Sequence, residues 1–275
     1  MTFGKRLTSA MAERGPMCLG IDPHAGLLEQ WGMADDLVSL ERFALTCVEA
    51  LGELAAVLKP QSAFFERFGS RGVAILERTI AEARQAGALV LADVKRGDIG
   101  STMAAYAEAY LGADSALSVD AITANPYLGV GALQPAFDLA QQHDKGVFVI
   151  VLTSNPEAPA VQHARLADGR TVAQSVLDEL ALRNAGADPL GSFGAVVGAT
   201  IGESVAELSG LHGPFLVPGI GAQGGGADDV RRIFGDQLPA VLPSVSREVL
   251  RAGPSVEALR TAARRVIDDY AFLRS

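Results

Sequence analysis

Cysteine is nearly absent from this chain: Cys18 and Cys47 are the two in 275 residues, and no C-x-x-C spacing joins them. That excludes a disulfide framework, and both thiols read as small buried apolar residues of a protein kept in a reducing cytoplasm. His24, His143, His163 and His212 are scattered without ligand spacing, so neither a metal site nor a histidine-centred triad is indicated. Positive charge is outweighed, with 23 Lys and Arg against 32 Asp and Glu for a net charge of -9. A nucleic-acid partner would call for a basic face or stripe, so none is expected. No stretch reaches the length of a membrane span, and MTFGKRLTSAMAERG lacks the continuous apolar run of a secretory leader. The chain therefore reads as soluble and unexported, with no membrane partner. A small anionic ligand stays compatible with this composition, because one or two local cations and some backbone N–H groups suffice to bind it.

What the sequence does have is apolar material in a regular alternation. Hydrophobic residues make up 49% of the chain, enough for a substantial core. Short runs rich in Val, Leu and Ile occur at 17–22, 55–61, 88–95, 120–126, 146–154, 194–200, 215–220 and 240–246. Between them lie segments of helical period such as VSLERFALTCVEALGEL, RGVAILERTIAEARQAG, STMAAYAEAYLG and SVEALRTAARRVIDDYAFL. Eight strands alternating with helices predict an α/β fold, a (β/α)8 TIM barrel, as a single domain over 1–275. A short capping helix is expected near 3–13, and the polar segment 154–170 reads as a surface insertion after the fifth strand, a candidate mobile lid.

A barrel places its chemistry on the loops at the carboxyl ends of its strands. The third strand, LADVKRGDIGST, sets Asp93 and Lys95 two residues apart, so both point to one face at the strand's exit, and Asp98 follows. Alone, D-x-K-x-x-D is weak evidence and reads more readily as a solvated charge cluster near a helix start; its place at the end of a long apolar strand is what favours a site. Other strand ends supply Asp22, Lys59, Ser154, the segment from Pro218 to Gly226, and Arg247, which converge if the barrel closes. Two lysines among three aspartates would hold one another ionised in a dry pocket, a setting suited to protonating a carbanion. Gly219, Gly221 and Gly224 have G-x-G-x-x-G spacing, with Gly225 next to them, but a dinucleotide fingerprint belongs in the first βα unit of its domain. After a seventh strand such glycines suit a phosphate loop, where Arg247 could hold two phosphate oxygens. Asn125 and Tyr127 in ANPYLG line the pocket or simply form a turn.

LADVKRGDIGSTMAAYA resembles the signature of the orotidine 5′-monophosphate decarboxylases, and VLKPQSAFFERFG with LVPGIGAQGG is similar to that family's second subgroup. The likeness runs in the family's order from GIDP to SVSRE, nearly the whole chain. It implies a lyase that converts orotidine 5′-monophosphate to UMP and carbon dioxide without a cofactor or a metal. Lys95 would protonate C6, with Lys59, Asp93 and Asp98 completing the charged network. Asp22 and Lys59 resemble the ribose-contacting positions, Ser154 the pyrimidine contact, Gln223 and Arg247 the phosphate contacts, and Pro218 would border the base. Asp98, Ile99 and Thr102 would reach the neighbouring subunit's site, implying a homodimer with composite sites.

Three rival readings carry their own signals. Sugar-phosphate decarboxylases and hexulose-phosphate synthases resemble the chain in the D-x-K-x-x-D strand but use magnesium. Where they place a glutamate ligand this sequence has Lys59, which would repel the cation. A non-catalytic nucleotide-binding protein has no reason to keep the Asp93, Lys95 and Asp98 set. An NAD-linked oxidoreductase would use the glycine loop and bind a nicotinamide cofactor.

Overall fold

A computed structural model describes residues 1–201, 206–222 and 224–274. Its eight strands are β1 (Cys18–Ile21), β2 (Val57–Pro60), β3 (Leu89–Arg96), β4 (Ala121–Ala124), β5 (Gly146–Leu152), β6 (Phe193–Val197), β7 (Phe215–Val217) and β8 (Val241–Val245). Each pairs in parallel with its neighbour in sequence, and β8 closes on β1, which makes the expected (β/α)8 barrel. The strands fall within the eight apolar runs, except that β3 extends one residue further and β6 starts one residue earlier.

The helices outside the barrel form for local reasons. Leu37–Leu51 starts at Asp36, whose carboxylate accepts the Ser39 N–H at 2.8 Å. Its buried face, Leu40, Phe43, Ala44, Cys47 and Leu51, repeats every three or four residues and packs onto the barrel. Truncating Phe43 to Ala would cost about 3–5 kcal/mol. Trp31 belongs to this layer: it is buried, its ring centroid lies 4.2 Å from that of Phe43, and its Nε1–H donates to the Leu250 carbonyl at 2.8 Å. Among the described residues no helix is long and apolar enough to cross a membrane.

Inside the barrel the two-residue period of each strand sorts side chains into two sets. Leu19, Leu58, Val90 and Ile122 face the helices, whereas Cys18, Val57, Leu91, Ala121, Phe148, Val196, Leu216 and Leu242 form a separate inner cluster. Helix Phe3–Arg14 plugs the amino end of that cluster with Phe3, Leu7 and Met11. Phe3 meets Phe148 edge-on, with ring centroids at 6.0 Å and planes at 88°. The plug presses so close to the start of β5 that a β-carbon at Gly146 would collide with the Phe3 ring. Cys18 and Cys47 are both fully buried, and burial pushes the Cys18 thiol up to about 12, so it is chemically inert.

Two residues further along each strand the inner set changes character. Val57 gives way to Lys59, Leu91 to Asp93, Ala121 to Thr123 and Leu242 to Ser244, while on β5 Phe148 gives way to Ile150. The period that buries the core therefore also delivers charged side chains to the carboxyl end.

Candidate active site

A cavity of about 250 Å³ opens at the carboxyl end of the barrel. One wall carries Asp22, Lys59, Asp93, Lys95, Thr123 and Ser244, and the opposite wall carries Ile150, Val196 and Leu216. Gly219, Ile220, Ala222, Ser246 and Arg247, from the ends of β7 and β8, also border it.

Asp93 is the centre of the charged wall and is 7% exposed. Its Oδ2 accepts from Lys59 Nζ at 3.0 Å, and its Oδ1 accepts from Lys95 Nζ at 2.5 Å and from the Thr123 hydroxyl at 2.8 Å. Burial alone would raise the Asp93 carboxyl, but the two ammonium groups outweigh it and hold the acid well below the usual carboxylate range. Burial would likewise lower Lys59, and Asp93 with Asp22 outweighs it, so the ammonium is held above its ordinary value. Both groups are therefore charged at neutral pH. Lys95, with 47% of its side chain exposed, faces the open part of the cavity and sits at φ 47°. That left-handed backbone costs a non-glycine residue about 1–3 kcal/mol and persists only where the surroundings enforce it.

Two buried polar atoms at the cavity, Asp22 Oδ1 and Ser246 Oγ, have no hydrogen-bond partner among the described residues. Such atoms are expensive unless a ligand or water satisfies them, so this edge is built to receive hydroxyls or other polar groups. Arg247 borders the same edge, half-buried, next to the glycine loop.

Other expected site residues lie elsewhere. Asp98, Ile99 and Thr102 are at the start of helix Gly100–Leu111 and do not line the cavity. Asp98 Oδ1 accepts the Ile99 N–H at 2.8 Å, and Ile99 is 62% exposed. Ser154 is exposed and outside the wall, while Thr153 lines it. The cause is a register shift between β5 and β6, where Ile150 pairs with Val196 but Leu152 pairs with Val197, so the inward parity reverses. The 154–170 segment is tied back there, since Gln162 accepts from the Thr153 N–H at 2.9 Å and donates to its hydroxyl at 2.8 Å. Asn125 forms a turn, its Oδ1 accepting the Tyr127 N–H at 3.1 Å, and neither residue lines the cavity. Pro218 does line it.

The glycine loop bends through Gly219, Gly221 and Gly224, all at positive φ. Three of its N–H groups are engaged internally: Gly221 donates to the Gly225 carbonyl at 2.9 Å, Gly224 to Gly221 at 2.8 Å and Gly225 to Gly219 at 3.0 Å. Gly221, Gly224 and Gly225 thus shape the loop, while Gly219, Ile220 and Ala222 border the cavity. Gln223 lies outside the described residues. Among the described residues no group of three or more His, Cys, Asp or Glu side chains is placed to hold a metal ion. Thr123, Thr153, Ser244 and Ser246 were not anticipated from the sequence, because a Thr or Ser inside a strand pattern reads as a strand former or turn residue.

The fold and this site define a barrel protein with a lysine- and aspartate-lined pocket at the carboxyl ends of its strands. The model of the orotidine 5′-phosphate decarboxylase / HUMPS family matches residues 15–262, and the chain belongs to that family. An orotidine 5′-phosphate decarboxylase from Salinispora tropica is 66% identical over 268 residues, covering 98% of this chain and 96% of the relative. A crystal structure from Streptomyces avermitilis, provisionally described as the same enzyme, superposes with a TM-score of 0.96 at 61% identity, covering 99% of this chain and 95% of that one. OMP decarboxylase from Leishmania donovani superposes with a TM-score of 0.78 at 31% identity, covering 100% and 99%.

Proposed function

We infer that this chain, a decarboxylase, converts orotidine 5′-monophosphate to UMP and carbon dioxide without a cofactor, with Lys95 as the proton donor. The reaction follows from the 66% identical relative, which matches over nearly its whole length. The observation that carries the chemistry is Asp93 bridging the Lys59 and Lys95 ammonium groups at 3.0 and 2.5 Å.

The bond between C6 and its carboxylate breaks with the electron pair left on C6, and neutral carbon dioxide departs. No ring substituent delocalises that pair, so fixed positive charge must stabilise it as it forms. Lys95 supplies the charge, then transfers a proton to C6 and regains one from solvent. Because Asp93, itself bonded to Lys59, holds Lys95 before substrate arrives, little reorganisation is needed at the reacting moment. The wall of Ile150, Val196 and Leu216 lowers the local dielectric, which strengthens each of these interactions. The Asp93 carboxylate would also repel the substrate carboxylate, a smaller contribution than the electrostatic one.

At the other edge, Asp22 with Lys59 takes the ribose hydroxyls, Pro218 borders the base, and Arg247 with Gln223 binds the phosphate. Contact of Ser154 with the pyrimidine requires the 154–170 segment to move from its tie to Thr153. Binding of the remote phosphate can supply that closure. Asp98, Ile99 and Thr102 complete the site of a second copy in a homodimer. In support, Ile99, Tyr127 and Leu128 form exposed apolar surface at the neighbouring ends of β3 and β4, 62%, 76% and 54% exposed.

The test is loss of orotidine 5′-monophosphate absorbance by purified protein in EDTA, beside Lys95→Ala. Turnover should persist in EDTA and fall by about 10⁴-fold in the variant, with UMP binding retained. Near-normal turnover by Lys95→Ala would reject Lys95 as donor. Activity only on a sugar phosphate with magnesium would reject the reaction.

A further inference from the structure

The register between β3 and β4 slips beside the charged centre. Ala92 pairs with Ile122 and Arg96 with Ala124, so Asp93, Val94 and Lys95 stand opposite Thr123 alone. Two residues are thus in excess on β3, and the backbone absorbs them by turning Lys95 to φ 47°. The slip takes the Lys95 N–H out of the ladder of strand bonds. The Thr123 side chain meets that N–H: its Oγ1 accepts from Lys95 N at 3.0 Å. The same hydroxyl donates its proton to Asp93 Oδ1 at 2.8 Å, the oxygen that also receives Lys95 Nζ at 2.5 Å.

We propose that Thr123 is a positioning residue for the decarboxylation, holding Lys95 at both ends, by its backbone N–H and through the carboxylate that receives its ammonium group. This rests on the reading of Lys95 as the proton donor. A hydroxyl is suited to the task because it accepts and donates at once, which valine of the same shape cannot do. Thr123 is 1% exposed, so its neighbours have little access to solvent as a substitute. Lys95, with 47% of its side chain exposed, has several rotatable bonds and is only partly confined by packing. Its direction is therefore set by its backbone and by Asp93, and Thr123 fixes both. Without the hydroxyl, the Lys95 N–H loses its acceptor, and Asp93 Oδ1 loses the uncharged donor that keeps the carboxylate turned between the two lysines.

The experiment compares Thr123→Val with Thr123→Ser, measuring kcat, KM, UMP affinity and thermal melting. Thr123→Ala repeats the deletion with a smaller side chain if the valine variant does not fold. A displaced reacting group is worth about 100-fold in rate. Thr123→Val is therefore expected to lower kcat by about 100-fold with KM and UMP affinity within about threefold, and Thr123→Ser to recover kcat to within about fivefold of the parent. A hydroxyl-free variant with kcat within threefold of the parent overturns the proposal. So does an equal loss in the serine and hydroxyl-free variants, which would assign the effect to packing by the methyl group. A fall in UMP affinity that matches the fall in kcat also overturns it, by showing that the pocket itself has collapsed. Lys95→Ala in the same series separates the two levels. If that variant still turns over, the reading of Lys95 has failed; if it is dead while Thr123→Val is normal, only the positioning role has.

Discussion

Two lysines lie buried at opposite ends of this barrel and are perturbed in opposite directions. Lys59, 6% exposed, stands at the carboxyl end, and Lys145, 9% exposed, immediately precedes β5 at the amino end. Burial disfavours the ammonium at both positions. At Lys59 two carboxylates, Asp93 and Asp22, overcome burial and hold the charge above the ordinary lysine value. At Lys145 burial prevails, Asp120 pulling against it while Arg84 and Arg6 push with it, and the ammonium is pushed down to about 8. Lys145 donates to the Ser118 hydroxyl at 2.5 Å, whereas Asp120 is bonded to Arg6. The contrast teaches that burial alone does not make a reactive lysine; the balance of charged neighbours does. The carboxyl end keeps its lysine charged beside the cavity, and the amino end has an arginine competing for the nearest carboxylate.

The most severe way to break the contrast is to remove the carboxylate that Lys59 depends on. Asp93→Ala leaves a buried ammonium without its bonded partner, which is expected to destabilise the fold by about 3–5 kcal/mol in urea titrations at pH 7. Turnover should fall by about 10³-fold or more, since Lys95 loses its partner as well. A stability loss below about 1 kcal/mol would mean that Asp22 is sufficient for Lys59.

The pH dependence sharpens the same point. Asp93 has a folded carboxyl held below its unfolded value, about 3.9, so on acidification the unfolded chain takes up the proton first. Its stabilisation is complete above about pH 5 and is lost as pH falls through the folded value. The stability gap between the parent and Asp93→Ala should therefore stay level from about pH 7 to 5 and narrow below about pH 4. Lys59 has the opposite sign: its contribution is present below about 10.4 and declines only above that, so it adds no slope in this window. A gap that already narrows at pH 6 would show that Asp93 is not held in its ionised form.

The difference between the two ends also shows which features the sequence made legible. Strand positions could be read because each β-strand is a short apolar run bounded by polar residues, and the expected runs overshot mainly at their carboxyl ends. There Asp22, Gln61, Asn125, Pro218 and Ser246 follow the last ladder residue of their strands and serve the cavity or a turn. Lys59, Asp93 and Lys95 were legible because charge inside an apolar strand pattern needs a reason. Thr123 was not, since threonine is an ordinary strand residue and its role arises from a slip between two strands that neither strand's sequence records. The same holds for Thr153 against Ser154: one bulge on β5 reverses which of them faces inward. The glycine spacing identified a loop but not which N–H groups its own carbonyls would consume. Lys145 gave no signal either, because its neighbours Arg6, Arg84 and Asp120 come from distant parts of the chain.

Lys145→Met is the mildest test, and it addresses the amino end alone. Replacing a poorly compensated buried charge by an apolar side chain of similar length is often neutral or stabilising. The variant is expected to gain about 1 kcal/mol at pH 7, net of the bond to Ser118, with turnover within about twofold of the parent. The sign of its pH dependence follows from linkage. With a folded value of about 8 against about 10.4 in the unfolded chain, the unfolded lysine keeps a proton that the folded one releases between those limits. Stability of the parent should therefore climb relative to the variant as pH rises from about 8 to 10, and the variant's advantage should shrink over that interval. Urea midpoints of both proteins across this range measure it directly. A parent that is more stable at pH 7, with a gap indifferent to pH, would place Asp120 in control of Lys145, and the two ends of the barrel would then treat their buried lysines alike.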